Sequence, residues 1–223
     1  MSTVSKENYL KTILNQRMTM GNGATTSQMA TDLSVSNAAI SDMAKKLSKQ
    51  GLVNYEKYKG MELTSKGEKI ALKIIRRHRL WELFLMKVLG LGLSEIHDEA
   101  EKLEHYSSDF LIDKIDQFLN YPDFDPHGHP IPKKNGTLPK LPNHIKLSDT
   151  EIGNKYEFVS VNDKDSDLIN YLVKAGLVLG SKLEVIDKLS FDKSLTVKFN
   201  NTELSLSKKI TDSVFVILIK KTD

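Results

Sequence analysis

Residues 26–64, TSQMATDLSVSNAAISDMAKKLSKQGLVNYEKYKGMELT, decide how the chain is read. The opening residues fit a short helix, capped by Thr26 or Ser27, that buries Met29, Ala30 and Leu33. Ser34-Val35-Ser36 is a tight connector. Residues 37–50 then place Ile40, Met43, Ala44 and Leu47 on one helical face, with Gly51 as a stop. Two strand-like pieces, LVNYEKY and MELT, join at Lys59-Gly60 and read as a hairpin. Upstream, residues 6–15 space Tyr9, Leu10, Ile13 and Leu14 as a helix does. Helix, helix, turn, helix, hairpin is the order of a winged helix-turn-helix, whose third helix enters the DNA major groove.

The solvent face of that third helix carries Asn37, Ala38, Ser41, Lys45, Lys46 and Lys49. Ser36 and Ala39 sit at its start, and Thr26 and Ser27 at the start of the helix before it. Small and hydroxyl residues allow close approach to DNA, while lysines neutralise phosphates and release counterions. Lys57 and Lys59 on the wing add to this set. A lysine run alone is more often a solvated face than a DNA contact. The local charge supports the DNA reading: residues 1–76 hold 12 Lys+Arg against 6 Asp+Glu, within a chain of net charge +3. Residues 77–140 reverse the balance, with 8 against 11, and residues 141–223 are neutral, with 12 against 12.

The next segment is a long helix up to Gly90, carrying Ile70, Ile74, Ile75, Leu80, Trp81, Phe84, Leu85, Val88 and Leu89. Helices over about 94–107 and 109–119 follow. So much apolar surface exceeds what these helices bury among themselves, which predicts a homodimer reading a palindromic, double-stranded operator. All six prolines lie within residues 122–142, so residues 122–148 read as extended connector. Beyond it the pattern has period two in KYEFVSV, SKLEVID, SLTVKFN, TELSLS and SVFVILI, with a turn at Asn200-Asn201. A small five-stranded barrel or sandwich with one short helix over 167–174 is the simplest reading.

The segment HDEAEKLEH carries the chemistry. On a helix, His97, Glu101 and His105 fall at i, i+4 and i+8, with Glu104 beside them. His78 and Glu82 face together one turn apart on the preceding helix. Imidazoles and carboxylates without thiolate suit Mn²⁺ or Fe²⁺, and also Zn²⁺ or Co²⁺. Any one of these histidines alone reads as structural; the six residues together read as a metal site, because neighbouring carboxylates require a compensating cation. His127 and His129 sit in the connector rather than on a helix and, with His144, are not read as ligands. The chain has no cysteine, which excludes disulfides, thiolate zinc sites, iron–sulfur clusters and a thiol nucleophile. It has no phosphate loop, nucleophile elbow or H-E-x-x-H, so an enzyme is not expected. A metal-dependent hydrolase and a metal-free winged-helix regulator are the competing classes.

RRHRLWELFL, IHDEAEKLEH, GHPIP and the winged segment ending YEKYKGMELTSKG resemble the DtxR/MntR family of bacterial metal-dependent transcriptional repressors. AGLVLGSKLEVI is similar to the SH3-like, FeoA-type third domain of its longer members. The resemblance implies two metal sites. His78, Glu82 and His97 correspond to an ancillary site, with Asp167 the nearest match for a third-domain ligand and Asp163 and Asp165 as neighbours. Glu101, Glu104 and His105 correspond to the primary site, completed from the first helix by Asn8. Glu101 stands where the iron-sensing branch has cysteine, which favours Mn²⁺. Lys11 stands where the short manganese branch has an acid, which argues against a paired metal site.

The expected fold class is α+β multidomain. Residues 1–74 form a winged helix-turn-helix, 75–140 a helical metal-binding and dimerisation domain, and 150–223 an SH3-like barrel. The expected function is a manganese-activated repressor of metal-ion homeostasis genes, with an Fe²⁺ or Zn²⁺ sensor of the same family as the alternative. No stretch is long enough to span a bilayer and no leader pattern opens the chain, so a cytoplasmic protein without membrane contact is expected.

Overall fold

The computed structural model describes residues 3–20, 23–56, 60–140, 143–162 and 165–219. It divides into two compact units. One comprises Met1–Trp81, Ala100–Asn120 and Pro132–Leu138; the other comprises Glu82–Glu99, Tyr121–Ile131 and Pro139–Asp223.

The first unit opens with α1 (Thr3–Met20), α2 (Thr26–Asp32), α3 (Asn37–Lys49) and the hairpin β1 (Val53–Glu56) and β2 (Gly60–Leu63). The cap of α2 is Thr25, one residue before the expected pair; its hydroxyl accepts from the Gln28 amide at 3.3 Å. Ser36 caps α3 by accepting from the Ala39 amide at 3.2 Å. Tyr9, Leu10, Ile13, Leu14, Met29, Ile40, Ala44, Leu47 and Met61 form the core. The Tyr9 hydroxyl is buried at its centre, donating to the Ile40 carbonyl at 2.9 Å with Met61 Sδ 2.8 Å away. Burial raises the Tyr9 pKa well above the ordinary phenol value, with the Tyr55 charge adding to the effect, so it stays a donor. That single bond ties α1 to α3, the helix expected to read DNA.

Helix α4 (Ser65–Leu89) begins at a compact junction. Thr64 Oγ1 accepts from the Gly67 amide at 3.1 Å and donates to the Gly51 carbonyl at 2.8 Å. Gly67 is required by space, since a Cβ there would lie 2.0 Å from the Leu52 carbonyl oxygen. Arg76 and Arg77 fasten α4 to α6 (Asp109–Phe118): Arg76 pairs with Asp113 at 3.0 Å and Asp116 at 2.8 Å, and Arg77 with Asp109 at 2.7 Å. On or beside α6, Tyr106, Phe110, Leu111 and Phe118 are exposed, Tyr106 at 85%.

Between these comes α5 (Ile96–Leu103), shorter than the expected 94–107 because its C-terminal end loosens into a turn over residues 104–106. Glu104 keeps the helical bond to the Ala100 carbonyl at 2.9 Å, so it still projects with the helix face.

In the second unit, β3 (Ile145–Lys146), β4 (Lys155–Val161), β5 (Lys182–Lys188), β6 (Leu195–Phe199), β7 (Thr202–Leu206) and β8 (Val214–Leu218) form one antiparallel sheet in the order β3-β8-β4-β5-β6-β7. The expected five strands gain β3, whose two residues are too few to show alternation within a proline-rich segment. α7 (Ser166–Lys174) lies between β4 and β5, and α8 (Lys208–Thr211) precedes β8. Asn200 and Asn201, at φ 45° and 61°, make the two-residue turn between β6 and β7. Tyr156, Phe158, Val185, Val197, Leu206, Val214 and Val216 alternate into its core.

Candidate metal centre

In the first unit, α1, α4 and the end of α5 bring polar side chains together in a nearly dry setting. Glu104 is fully buried, and His78 and Lys11 are 5% and 8% exposed. Glu104 Oε2 lies 2.7 Å from His78 Nδ1 and 2.8 Å from Lys11 Nζ. Lys11 Nζ also reaches Glu101 Oε1 at 2.5 Å and His78 Nδ1 at 3.3 Å. Burial alone would push the Lys11 pKa down, but the Glu104 and Glu101 carboxylates outweigh it and raise it above the ordinary lysine value. The ammonium is therefore charged.

The other side of Glu104 is different. Its Oε1, His105 Nε2 and Asn8 Oδ1 are each buried without a hydrogen-bond partner. Glu104 Oε1 and His105 Nε2 are 3.3 Å apart. His105 Nδ1 lies 2.8 Å from Glu7 Oε2; a proton on Nδ1 would leave the Nε2 lone pair available to a cation beside Glu104. Glu101, Glu104 and His105 present donor atoms within 4.8 Å of one another. Each of these orphaned buried atoms carries a desolvation cost that a divalent cation would remove. An O,O,N set fits a hard or borderline ion, so the residues present fit the metal that the resemblance implies.

In the second unit, Glu82 is fully buried and Asp125 and His127 are 5% and 1% exposed. Their donor atoms also fall within 4.8 Å of one another. Glu82 Oε1 lies 3.3 Å from His97 Nδ1 and 3.7 Å from His127 Nδ1. The Asp125 carboxylate organises its own loop: Oδ1 accepts from the His127 and His129 amides at 2.8 and 2.9 Å. Gly128, at φ +83°, makes the loop possible, and a Cβ there would sit 2.0 Å from the Val159 carbonyl oxygen. The His127 carbonyl accepts from the Val161 amide at 3.1 Å, which seats the loop on β4.

The expected ligands thus fall as follows. Glu101, Glu104, His105 and His78 gather in the first unit; Asn8 lies on α1 of the same unit with its Oδ1 buried and without a hydrogen-bond partner. Glu82 and His97 pair in the second, joined by Asp125 and His127, which the sequence reading left out. Asp167 is exposed in the first turn of α7, where its amide is capped by Asp165 Oδ1, and it joins no such cluster among the described residues. Asp163 lies outside the described residues. His129 Nδ1 lies 3.4 Å from Asp125 Oδ2, and His144 packs edge-on against Phe215. The Asp-Pro-His-Gly-His turn was the local signal for the second cluster, but its carboxylate partner lies 43 positions upstream, beyond any periodicity.

Of the expected DNA-facing residues, Ser27, Ser36, Asn37, Ala38, Ala39, Lys45, Lys46 and Lys49 are exposed, and Thr26 and Ser41 are half-buried. The Ser36 hydroxyl is engaged in capping α3. Lys57 and Lys59 lie outside the described residues. The exposed face combines small residues at one end with lysines at the other, as a groove-reading helix requires.

A winged helix-turn-helix, a metal-fitting cluster and a small β domain in one chain define a metal-responsive DNA-binding regulator. Residues 1–61 match the family model of the iron dependent repressor N-terminal DNA binding domain. Residues 64–133 match the iron dependent repressor metal binding and dimerisation domain, and residues 145–218 the FeoA domain. The HTH-type transcriptional regulator MntR of Oceanobacillus iheyensis is 39% identical over 121 residues, 54% of this chain and 81% of that protein. The diphtheria toxin repressor of Corynebacterium diphtheriae is 25% identical over 190 residues, 80% of this chain and 82% of that one. A solved manganese-dependent transcriptional repressor in complex with manganese superposes with a TM-score of 0.90 at 32% identity, covering 96% of this chain and 100% of that one. ScaR with bound Zn²⁺ gives 0.83 at 33% identity, covering 96% and 99%. The chain belongs to the DtxR/MntR family of metal-dependent transcriptional repressors. Its relatives are regulators and not enzymes, and no helix among the described residues is long and apolar enough to cross a membrane.

Proposed function

We propose that this chain is a manganese-activated, homodimeric repressor of metal-ion homeostasis genes, acting in the cytoplasm on palindromic operator DNA. The observation that carries the reading is the set of orphaned atoms, Asn8 Oδ1, Glu104 Oε1 and His105 Nε2. With Glu101, these residues would hold the ion, which supplies there the positive charge that the buried carboxylates need. Asn8 and Tyr9 are neighbours on α1, and the Tyr9 hydroxyl holds the Ile40 carbonyl of α3. Fixing α1 therefore fixes the orientation of the DNA-reading helix and lowers the entropic cost of binding DNA. By linkage, DNA tightens ion binding by the same factor. A second copy would cover Tyr106, Phe110, Leu111 and Phe118 around α6, and so pair two recognition helices for a two-fold site. Glu82, His97, Asp125 and His127 would supply a second centre within the second unit, with Asp167 as the remaining candidate.

The preference for Mn²⁺ rests on oxygen-rich ligation with no sulfur, and on the manganese-bound structure to which the chain is similar. Zn²⁺ is the principal alternative, since ScaR was solved with it. The test uses chelator-stripped protein and duplexes selected from a random pool, with Mn²⁺, Fe²⁺, Zn²⁺ and Co²⁺ titrated at fixed salt. Mn²⁺ should tighten binding at the lowest free concentration. Equal DNA affinity with and without every ion refutes metal activation; activation by Fe²⁺ or Zn²⁺ alone replaces manganese.

Two substitutions sharpen the assignment. Asn8→Asp exchanges a neutral carbonyl for a charged oxygen, so half-maximal activation should need less Mn²⁺; an unaltered activation curve would remove Asn8 from the ligand set. Lys46→Ala should weaken binding about equally across duplex sequences and reduce the salt slope by roughly one unit. A loss confined to one base pair would instead make Lys46 a base reader.

A further inference from the structure

Lys11 is a feature that metal ligation alone does not explain. A long cationic side chain is 8% exposed beside residues assigned to bind a cation, where like charges should repel. It is held by the two carboxylates at 2.5 and 2.8 Å and lies 3.3 Å from His78 Nδ1. Glu104 is divided between two environments. Its Oε2 faces Lys11 and His78, while its Oε1 faces His105 Nε2 and is orphaned. A carboxylate shared in this way bridges two cationic positions, and one of them is filled by the chain itself.

Building on the metal reading above, we propose that the Lys11 ammonium is a resident cation of this centre: it docks α1 onto the ligand-bearing helices in metal-free protein and restricts the centre to one divalent ion. Glu101 and Glu104 carry two negative charges, and Glu104 is fully buried. Lys11 compensates one, so the pair stays assembled before an ion arrives. The His78 side of Glu104 is closed to a further ion while the ammonium sits there. Because Lys11 is on α1, three residues from Asn8, the ligand-free DNA-binding unit is already attached near its active arrangement, and ion binding completes that arrangement.

The experiment compares full-length Lys11→Met, Lys11→Arg and Lys11→Glu with the parent chain. Thermal unfolding is followed after chelator treatment, and bound Mn²⁺ is counted by equilibrium dialysis and atomic absorption. Lys11→Met keeps the length and removes the charge, so its stripped midpoint should fall by about 5 °C or more, with Lys11→Arg recovering most of the loss. Lys11→Glu should bind one more Mn²⁺ per subunit than the parent. Equal midpoints for stripped parent and Lys11→Met would overturn the docking role. An unchanged Mn²⁺ count in Lys11→Glu would overturn the restriction to one ion. If His105→Ala loses no Mn²⁺ from the parent chain, the metal reading fails, and the stripped-protein midpoints still decide whether Lys11 docks α1.

Discussion

Alanine at Glu104 is expected to remove metal-dependent DNA binding altogether, a loss of about 100-fold or more at saturating Mn²⁺ and fixed salt. Two causes add. The orphaned Oε1 disappears from the set that would hold the ion. The second effect precedes any metal: Lys11 and His78 lose a fully buried partner at 2.8 and 2.7 Å. Lys11 keeps Glu101, but removing the buried partner of a buried cation costs about 3 kcal/mol, visible as a lower denaturation midpoint of chelator-stripped protein. Glu104→Gln separates the causes, because it keeps the volume and one oxygen while removing the charge. It should fold better than the alanine variant yet still respond poorly to Mn²⁺. Wild-type activation by Mn²⁺ in Glu104→Gln would show that the carboxylate is structural only.

Gly128→Ala should be the most damaging single-methyl change in the second unit. The backbone there sits at φ +83°, which an L side chain adopts only under strain, and the added Cβ would meet the Val159 carbonyl oxygen at 2.0 Å. Relief requires the loop to leave β4, at a cost of about 3 kcal/mol. Hydrogen exchange at the Val161 amide reads this directly, since that amide donates to the His127 carbonyl. Its protection should drop sharply, and if the proposed second centre holds an ion through Glu82, Asp125 and His127, the Mn²⁺ bound per subunit should fall with it. Unchanged protection at Val161 would mean that the loop tolerates the methyl.

These two substitutions mark the boundary of what the sequence made legible. The winged helix-turn-helix was readable because its signals are local: the apolar face Ile40, Ala44, Leu47 repeats at helical spacing, and Gly51 follows it. The Glu101, Glu104, His105 group was readable for the same reason, since one helix face gathers residues three and four apart. Asp125 and His127 were not, because they reach Glu82 through a proline-rich turn whose geometry depends on a tight approach to β4. Lys11 was seen only as an obstacle to a paired metal site. Its partners lie 90 and 93 positions away, and only packing α1 against α5 turns repulsion into compensation. The missing strand β3 and the early cap at Thr25 are smaller differences of one or two residues, the scale at which tertiary pairing and side-chain geometry override local pattern.

The seating of the His127 carbonyl on the Val161 amide bears on how the protein can be cut. A fragment ending at residue 140 keeps both iron dependent repressor matches and looks like a self-sufficient regulator. It discards β4, however, and with it the backing for the loop that carries Asp125 and His127. Pro126 would also lose Phe158 and Val161, with which it lines a small apolar cavity. Such a fragment should retain the Glu104 centre and lose the Glu82 centre, making the FeoA-type domain a structural part of ion capture.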